Sequence, residues 1–359
     1  MKYQKPIQPR DMEHVVIYRN EGEFSSWPFN GGMWKISENN ILVAFMNIHC
    51  DYSVPRNLVH DRVEQFGKIL AVRTRDGGRT WEAPIVVADN NRLNDELHYG
   101  KQHELEEYDF SDSNVLLECW CTPNSSDPYA KAWVKISKDG GNTWSEAVLL
   151  PDCGIPRFQG RPSYIVRPDG VVLLFLTARP STNPHDRPVV YASFDNGRNW
   201  SLISLMPNSN EYRMICPSPV LLDDGTILAA VRCKPAMTAA WDELYASDDG
   251  GLTWRFVSRI NDHGDTVHLS LLADGRLFAV YGYRRPPFGI RARLSEDQGR
   301  TWGPELILRT DGGSNDLGYP RAVEMQPGEI LAAYYFNNQD DPIRQNGGVR
   351  YIAGTILKV

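Results

Sequence analysis

The segment TRDGGRTW, residues 74–81, is the first of five copies of one pattern, (S/T)-x-D-x-G-x-(T/N)-W. The other copies are SKDGGNTW (137–144), SFDNGRNW (193–200), SDDGGLTW (247–254) and SEDQGRTW (295–302). In such a turn the Asp carboxylate accepts hydrogen bonds from nearby backbone N–H groups, and the Gly supplies a positive φ. The Trp then begins the next strand and packs between neighbouring units. Intervals of 48 to 63 residues between successive Asp positions suit one four-stranded blade per repeat.

A second repeat lies between these boxes and consists of a tight turn followed by an apolar strand. Its six copies are ENNILVAFM (38–46), DSNVLLECW (112–120), PDGVVLLFL (168–176), DDGTILAAV (223–231), ADGRLFAVY (273–281) and QPGEILAAY (326–334). Six copies predict an all-β, six-bladed β-propeller with four antiparallel strands per blade. We expect the last blade to be closed by strands at 350–359 and 14–19. No helix is expected, and without a linker the chain is predicted to be one domain, 1–359.

Composition narrows the possible partners of the 359-residue chain. A net charge of −7 argues against nucleic-acid binding, which needs a basic face. There is no apolar run long enough to cross a membrane and no secretory leader, so we expect a cytoplasmic protein that does not bind membranes. Six Cys in no zinc or disulfide pattern are predicted to be free thiols. We expect no metal and no cofactor, and the oligomeric state is left open.

Strand order predicts which face carries function. The Asp boxes and the tight turns lie on one face, so the long, irregular loops form the opposite face. Function usually resides on such loops. Counting nine residues back from each turn Gly gives the starts of four inner strands: Arg161, Cys216, Thr266 and Tyr319. Counting forward gives the ends of the next strands: Arg179, Arg232, Arg284 and Tyr335. Converging Arg side chains predict a carboxylate receptor in the central funnel.

These repeats and residues resemble the sialidase superfamily, whose Asp-box propellers bind a substrate carboxylate with three Arg. The resemblance implies a retaining glycosidase with a Tyr nucleophile, an assisting Glu and an Asp acid/base in a blade-one loop. Tyr319 matches the nucleophile by its position at the start of the last inner strand. The resemblance assigns the Arg set as Arg19, Arg232 and either Arg284 or Arg291. The assisting Glu is missing, because its expected position holds Pro217.

The acid/base is ambiguous in the loop HCDYSVPRNLVHDRVEQFG, which offers Asp51, Asp61 and Glu64. Its His60 is also a candidate, because an imidazole needs little adjustment to transfer protons near neutrality. The candidate catalytic residues are therefore Tyr319, Asp61, Asp51 and His60. The candidate substrate-binding residues are Arg19, Arg161, Arg232, Arg284, Arg291, Arg321 and His268.

The expected function is an exo-acting glycoside hydrolase of sialidase type that releases a carboxylate-bearing sugar from a glycan. Two alternatives remain open. One is another carbohydrate-active propeller, a hydrolase or lyase of uronate- or rhamnose-containing glycans that uses His and Tyr. The other is a propeller that binds acidic glycans without catalysis. Grouping of His60, His98 and His268 in one site would favour the first alternative.

Overall fold

The structure is a computed structural model that describes residues 4–53, 56–101, 103–206, 211–236 and 239–359. The side chains of residues 56–58, 61 and 346 lie outside this description. The strands are β1 (Met12–Tyr18), β2 (Glu23–Ser26), β3 (Met33–Lys35), β4 (Ile41–His49), β5 (Lys68–Thr74), β6 (Ile85–Asp89), β7 (Leu116–Thr122), β8 (Lys131–Ser137), β9 (Val148–Leu149), β10 (Arg157–Val166), β11 (Val172–Arg179), β12 (Arg187–Ser193), β13 (Ser201–Leu205), β14 (Arg213–Leu221), β15 (Ile227–Ala236), β16 (Ala239–Ser247), β17 (Arg255–Asn261), β18 (Gly264–Leu271), β19 (Leu277–Tyr283), β20 (Gly289–Ser295), β21 (Leu306–Arg309), β22 (Gly318–Gln326), β23 (Glu329–Phe336) and β24 (Tyr351–Lys358). The helices are α1 (Pro28–Gly31), α2 (Arg56–Phe66), α3 (Asn90–Tyr99) and a 3-10 turn (Gln345–Gly347).

These strands form six antiparallel sheets, which confirms the predicted six-bladed propeller. Blades three, four and five are continuous in sequence: β10–β13, β14–β17 and β18–β21. Blade six combines β22, β23 and β24 with β1 as its outermost strand. The propeller is therefore closed by the C-terminal and N-terminal strands together, as the sequence predicts.

Blades one and two depart from this regular plan. In blade one both β2 and β3 pair with β4, so the innermost position is one strand interrupted by α1. In blade two the described residues form three hydrogen-bonded strands, β7, β8 and β9. The residues that precede β7 instead carry α3 and an irregular segment.

The expectation of no helix is wrong at α2 and α3. Both helices are polar, and among the side chains that the structure describes each buries two apolar residues spaced four apart: Val59 and Val63 in α2, Leu93 and Leu97 in α3. The two helices pack against each other beside blade one. So narrow an apolar stripe gives little helical periodicity, because a surface helix usually buries three or four residues per two turns.

Each Asp box is a self-contained hydrogen-bonded turn. In the fourth copy, Asp249 accepts bonds from the backbone N–H groups of Leu252 and Thr253 at 3.1 and 2.9 Å. Its carboxylate also accepts the hydroxyl groups of Ser247 and Thr253 at 2.8 and 2.6 Å. Bonds from Thr253 hold the pKa of Asp249 at about 2. The Asp side chain therefore fixes the turn rather than taking part in chemistry.

The box Trp residues join neighbouring blades. Trp254 in blade four donates its Nε1–H to Ser204 of blade three at 3.2 Å and packs edge-on against Phe175 at 5.7 Å. Trp302 in blade five repeats the contact with Ser258 of blade four at 3.0 Å. Such repeated packing of an aromatic ring with one satisfied polar atom fixes the spacing between blades.

No helix among the described residues is both long and apolar enough to cross a bilayer. All six Cys are free thiols, and Cys153 alone among them is exposed.

Candidate active site

The inner strands carry a repeated backbone feature at the positions reached by counting back from the turn Gly. Arg161, Cys216, Thr266 and Tyr319 all have left-handed φ values, of 58°, 57°, 58° and 46°. The strand register shifts at each of these positions, so each is a β-bulge on an innermost strand. A non-glycine residue in this region costs about 1–3 kcal/mol, and such strained residues cluster at functional sites. The four bulges surround the propeller axis.

Above the bulges lies a cavity of about 400 Å³ on the face opposite the Asp boxes. Its cationic lining is Arg157, Arg161, Arg179, Arg213, Arg232, Lys234 and Arg284. The lining carboxylates are Glu64 and Asp316. A chain of net charge −7 thus concentrates positive charge at one place on its axis. This agrees with the basic funnel that the sequence predicts.

Three Arg side chains surround Tyr319 at the bottom of the cavity. Arg232 Nη1 donates to Tyr319 Oη at 2.9 Å, and the Arg232 and Arg284 guanidinium carbons lie 5.6 and 5.5 Å from the ring centroid. Burial disfavours the charged form of Arg161, yet Tyr319 and Cys216 raise its pKa. We call Arg161, Arg232 and Arg284 the deep cluster.

One buried carboxylate, Asp265, pairs with two members of the deep cluster, Arg232 and Arg284. Asp265 bonds to Arg232 at 2.7 Å and lies 3.4 Å from Arg284 Nη1. Burial would raise the pKa of Asp265, but Arg232 and Arg284 lower it. The cationic side chains of the cavity lining outnumber Asp265 and the lining carboxylates Glu64 and Asp316, so net positive charge remains in the cavity. Among the described residues, no carboxylate hydrogen-bonds to Tyr319 Oη, so the assisting Glu is missing from the structure as well as from the sequence.

His60 and Glu64 enter the cavity from α2, where their spacing of four places them on one face of the helix. His60 Nε2 lies 3.1 Å from Asp316 Oδ2, and its ring packs edge-on against Phe24 and Trp27 at 5.3 Å each. Burial would raise the pKa of Asp316, but Arg350 and His60 hold it well below its ordinary value. An ionised carboxylate therefore orients the imidazole. Glu64 instead accepts hydrogen bonds from Ser125.

Lys234 adds a titratable cation to the same wall. Burial lowers its pKa to about 7, and the neighbouring charge of Arg232 contributes in the same direction. Arg213 and Arg284 also lower this pKa, whereas Asp265 raises it. The charge of the cavity therefore changes near neutral pH.

Three predicted residues lie away from the cavity. Arg19 follows β1, the outermost strand of blade six, and pairs with Asp341 at 2.7 Å. Arg291 is on the third strand of blade five, where it stacks over Tyr283 at 4.6 Å and donates to the carbonyl oxygen of Arg309. Asp51 is exposed and accepts the N–H of Ser53 at 2.9 Å. Outer or surface positions cannot reach an axial funnel, so these predictions are corrected. The backbone of Asp61 lies in α2, and its side chain is outside the described part of the chain.

Arg321 and His268 lie below the bulges, in a second cavity of about 1000 Å³ that reaches the turn face. Each is two residues beyond a bulge, so its strand has already passed the funnel floor. Arg321 donates to the carbonyl oxygens of Phe29 and Pro162 at 2.7 and 2.5 Å. Burial holds the pKa of His268 well below its ordinary value, and its Nδ1 accepts the Ala322 N–H at 3.1 Å. Their predicted role in binding substrate beside Tyr319 is therefore corrected to a structural one.

The histidines do not form one site. His60 lines the upper cavity, His268 lines the lower one, and His98 is exposed on α3 beside Tyr99. A mechanism that needs all three is therefore contradicted. Among the described residues, no three His, Cys, Asp or Glu side chains are grouped to hold a metal ion.

The sequence missed Arg157, Arg213, Lys234 and Asp316 as site residues. A signal was present, because three of them precede a bulge position by three or four residues. Arg157 precedes Arg161, Arg213 precedes Cys216 and Asp316 precedes Tyr319. Lys234 follows Arg232 by two residues and thus shares its side of β15. Extending the backward count by three or four residues reaches Arg157, Arg213 and Asp316, and nine residues forward of Gly225 is Lys234.

Comparisons with known proteins agree with this geometry. The family model described as a BNR repeat-like domain matches residues 123–346. The chain belongs to the BNR repeat-like family. A curated sialidase from Clostridium perfringens is 24% identical over 214 residues, which cover 54% of this chain and 53% of that protein. The chain thus matches about half the length of that relative.

Solved structures share the whole propeller. A protein of unknown function from Dyadobacter fermentans is 26% identical with a TM-score of 0.75, covering 97% of this chain and 98% of that one. An α-L-arabinofuranosidase from Fusarium graminearum has a TM-score of 0.64 at 13% identity, covering 96% and 97%. With the Asp boxes and the sialidase relative, these matches identify a sialidase-like β-propeller, a fold shared by glycoside hydrolases of different specificity.

Proposed function

We propose that this BNR propeller is an exo-acting glycoside hydrolase whose cavity binds a terminal sugar through its carboxylate. The observation that carries the proposal is the deep cluster around Tyr319, with three guanidinium groups and a single paired carboxylate, Asp265. Guanidinium groups bind carboxylates through parallel N–H donors, and such charge-assisted bonds are about twice as strong as neutral ones. A neutral sugar would leave this positive charge unmatched.

Tyr319 is the proposed nucleophile. Its Oη lies beside the carboxylate receptor, so a 2-keto sugar acid such as sialic acid, whose anomeric carbon bears the carboxylate, would present that carbon to this oxygen. Tyr319 first gives its hydroxyl proton to solvent. Attack then forms a bond between Oη and that carbon as the bond to the leaving glycan breaks, the leaving oxygen takes a proton from His60, and water releases the sugar with retention. The Arg232 guanidinium, 2.9 Å from Oη, replaces the missing Glu by stabilising the ionised phenol.

His60 is the proposed acid/base. Asp316 fixes its imidazole at 3.1 Å, and α2 holds it above the funnel floor. A positioned imidazole can protonate the leaving oxygen and then remove a proton from the attacking water. Glu64, one helical turn away, is the other acidic side chain of α2 in the described part of the chain that lines the cavity and could serve.

The test is a panel of chromogenic glycosides of sialic acid, glucuronic acid, galacturonic acid and the neutral sugar arabinofuranose. We expect turnover of an acidic glycoside, and loss of at least about 1000-fold in kcat for Tyr319→Phe because the nucleophile is removed. The control is Tyr191→Phe, which removes a hydroxyl bonded to the Pro151 carbonyl oxygen outside the cavity. Turnover of the neutral glycoside alone, or full activity of Tyr319→Phe, would contradict the proposal.

A lyase acting on uronate glycans is the second candidate. One observation favours it. Arg232 donates a hydrogen bond to Tyr319 Oη, at the place where a sialidase mechanism calls for a carboxylate. Elimination needs a neutralised carboxylate, a base and an acid, which the deep cluster, His60 and Tyr319 would supply. The same panel distinguishes the reactions, because elimination yields an unsaturated product with ultraviolet absorbance. Binding of an acidic sugar without either product would instead favour a non-catalytic propeller.

A further inference from the structure

A second group of cations lies on the wall of the cavity between blades three and four. Arg157 begins β10, Arg179 ends β11 and Arg213 begins β14. Arg179 Nε and Arg213 Nε bond to the two oxygens of Asp186 at 2.9 and 2.6 Å. Asp186 is fully buried, whereas the Arg179 and Arg213 side chains are 36% and 32% exposed. We call Arg157, Arg179 and Arg213 the outer cluster.

Packing alone does not explain the outer cluster. Arg157 and Arg179 are direct partners on adjacent strands, and like charges in this position are destabilising. Burial lowers the pKa of Arg157, and the charge of Arg179 acts in the same direction although Asp186 opposes it. One carboxylate faces three guanidinium groups, so positive charge remains uncompensated by the described residues around it.

The outer cluster also keeps hydrogen-bond donors free. Within the part of the chain that the structure describes, Arg179 uses only Nε, so both of its Nη groups lack a protein partner. Arg213 uses Nε and Nη2, which leaves Nη1. Arg157 Nε is buried and has no hydrogen-bond partner among the described residues. All three residues line the cavity. The Arg179 and Arg213 side chains are partly exposed, so their free Nη donors are available to a ligand.

Gln159 connects this cluster to the deep one. Its Oε1 accepts from Arg161 Nη1 at 2.5 Å and from Arg213 Nη2 at 2.9 Å. The two clusters are therefore neighbours across one amide, yet each has its own buried carboxylate, Asp265 and Asp186. Two separate positive centres side by side match two anionic groups better than one.

We propose that the outer cluster is a second anion-binding site and that the ligand is an acidic oligosaccharide with anionic groups on two neighbouring sugars. This inference rests on the proposed function, in which the deep cluster holds the carboxylate of the terminal sugar. The outer cluster then binds the carboxylate or sulfate of the next sugar, on the leaving side of the scissile bond. It thereby selects glycans whose second sugar is also acidic.

The experiment measures binding by calorimetry in the full chain carrying Tyr319→Phe, so that no turnover occurs. The probes are N-acetylneuraminic acid against its α2,8-linked disaccharide, and galacturonic acid against its α1,4-linked disaccharide. At about 0.15 M salt, where distant surface charges are screened, we expect the dianion of one pair to bind at least about tenfold more tightly than its monoanion.

Arg179→Gln should reduce this preference to about twofold or less, because it removes the free donors and one charge. Asp186 keeps Arg213 as a partner in this variant, and circular dichroism checks that the fold is retained. Arg179→Lys should restore part of the preference by restoring the charge. The matched control is Arg255→Gln, an exposed Arg paired with Asp248 on the outer strand of blade four. It should leave the preference unchanged.

Equal binding of monoanion and dianion, or a preference that survives Arg179→Gln, would overturn the second site while leaving the proposed function intact. A dianion preference that Arg179→Gln abolishes, in a wild-type protein that turns over no acidic glycoside, would support the second site and reject the glycosidase. Failure of all four probes to bind would reject both.

Discussion

Both faces of the propeller carry a repeated feature, but residue types repeat on one face and backbone geometry repeats on the other. On the turn face, the Asp boxes repeat the same residues, and each carboxylate is saturated within its own turn, as at Asp249. On the cavity face, four equivalent bulges share a left-handed φ but carry Arg161, Cys216, Thr266 and Tyr319. Repetition of residues thus marks the part that builds the fold, and repetition of geometry with different residues marks the part that binds.

The two faces also differ in how completely their charged side chains are paired. The box carboxylates are matched by local donors and lie near the surface, so their removal affects stability alone. The cavity cations outnumber the carboxylates that pair with them in the described structure, and the excess charge is available to a ligand. Variants on the two faces should therefore separate stability from activity.

After Tyr319→Phe, the largest effect is expected for His60→Asn on the cavity face. Removal of the acid/base should lower kcat by about 100-fold or more with little change in KM, because the imidazole transfers protons rather than holding the carboxylate. Steady-state kinetics on the best acidic glycoside measures this. His49→Asn, an exposed His at the end of β4, is the control. A large loss in Glu64→Gln with none in His60→Asn would transfer the role to Glu64.

Substitutions on the turn face should lower the stability of the fold and leave activity unchanged. Asp249→Ala removes four hydrogen bonds and should lower the free energy of unfolding by about 2 kcal/mol while kcat/KM stays unchanged. Asp248→Ala, the adjacent exposed Asp paired with Arg255, should cost under about 1 kcal/mol. Thermal unfolding and kinetics on the same samples provide both readouts. Loss of activity in the folded Asp249→Ala protein would break the separation of the faces.

Lys234 should make ligand affinity depend on pH. Its lowered pKa of about 7 means that Lys234 is charged below this pH and neutral above it. An ionised sugar acid should therefore bind more weakly as pH rises from 6 to 8, by about three- to tenfold for one lost charge. Arg213, Arg232, Arg284 and Asp265, which surround Lys234, keep their charges over this range. In Lys234→Arg the decline should disappear, and a decline that persists would assign it to another group.

The smallest change in stability is expected at the fifth Asp box, where Gln298 occupies a left-handed backbone position. Gln298 has a φ of 58° and is exposed, at a position where three other boxes have Gly. Gln298→Gly should stabilise the protein by about 0.5 kcal/mol, because relief of the left-handed strain slightly exceeds the entropy cost of Gly. Thr266→Gly, at the same φ on the cavity face, should destabilise the protein because Arg232 loses its bond to Thr266 at 3.1 Å. The same sign of change in both variants would contradict the comparison.

The repeated features were predictable from sequence because they are local. In a box such as SDDGGLTW, both partners of each hydrogen bond to the Asp carboxylate lie within the box, so the fold follows from the spacing of the repeats. Arg161, Arg232, Arg284 and Tyr319 were found in this way, by counting from a turn Gly.

The errors arose where a residue's neighbours come from distant parts of the chain. The resemblance assigns Arg19 to the site, but its partner, the buried Asp341, is 322 residues away in the sequence. Arg321 and His268 lie on inner strands as predicted, but each is two residues beyond a bulge. Their side chains therefore lie below the floor of the upper cavity. The sequence does not predict helix α2, because Val59 and Val63 alone give almost no helical periodicity. Without α2, the contact between His60 and Asp316 cannot be predicted either.

The central claim is that the deep cluster recognises a carboxylate, and esterification of the ligand tests it most directly. Calorimetry would compare N-acetylneuraminic acid and galacturonic acid with their methyl esters, which keep the sugar and remove the charge. We predict that for at least one sugar the acid binds about thirtyfold or more tightly than the ester, as loss of charge-assisted bonds requires. Equal binding of acid and ester for both sugars, or no binding of either acid, would contradict the account.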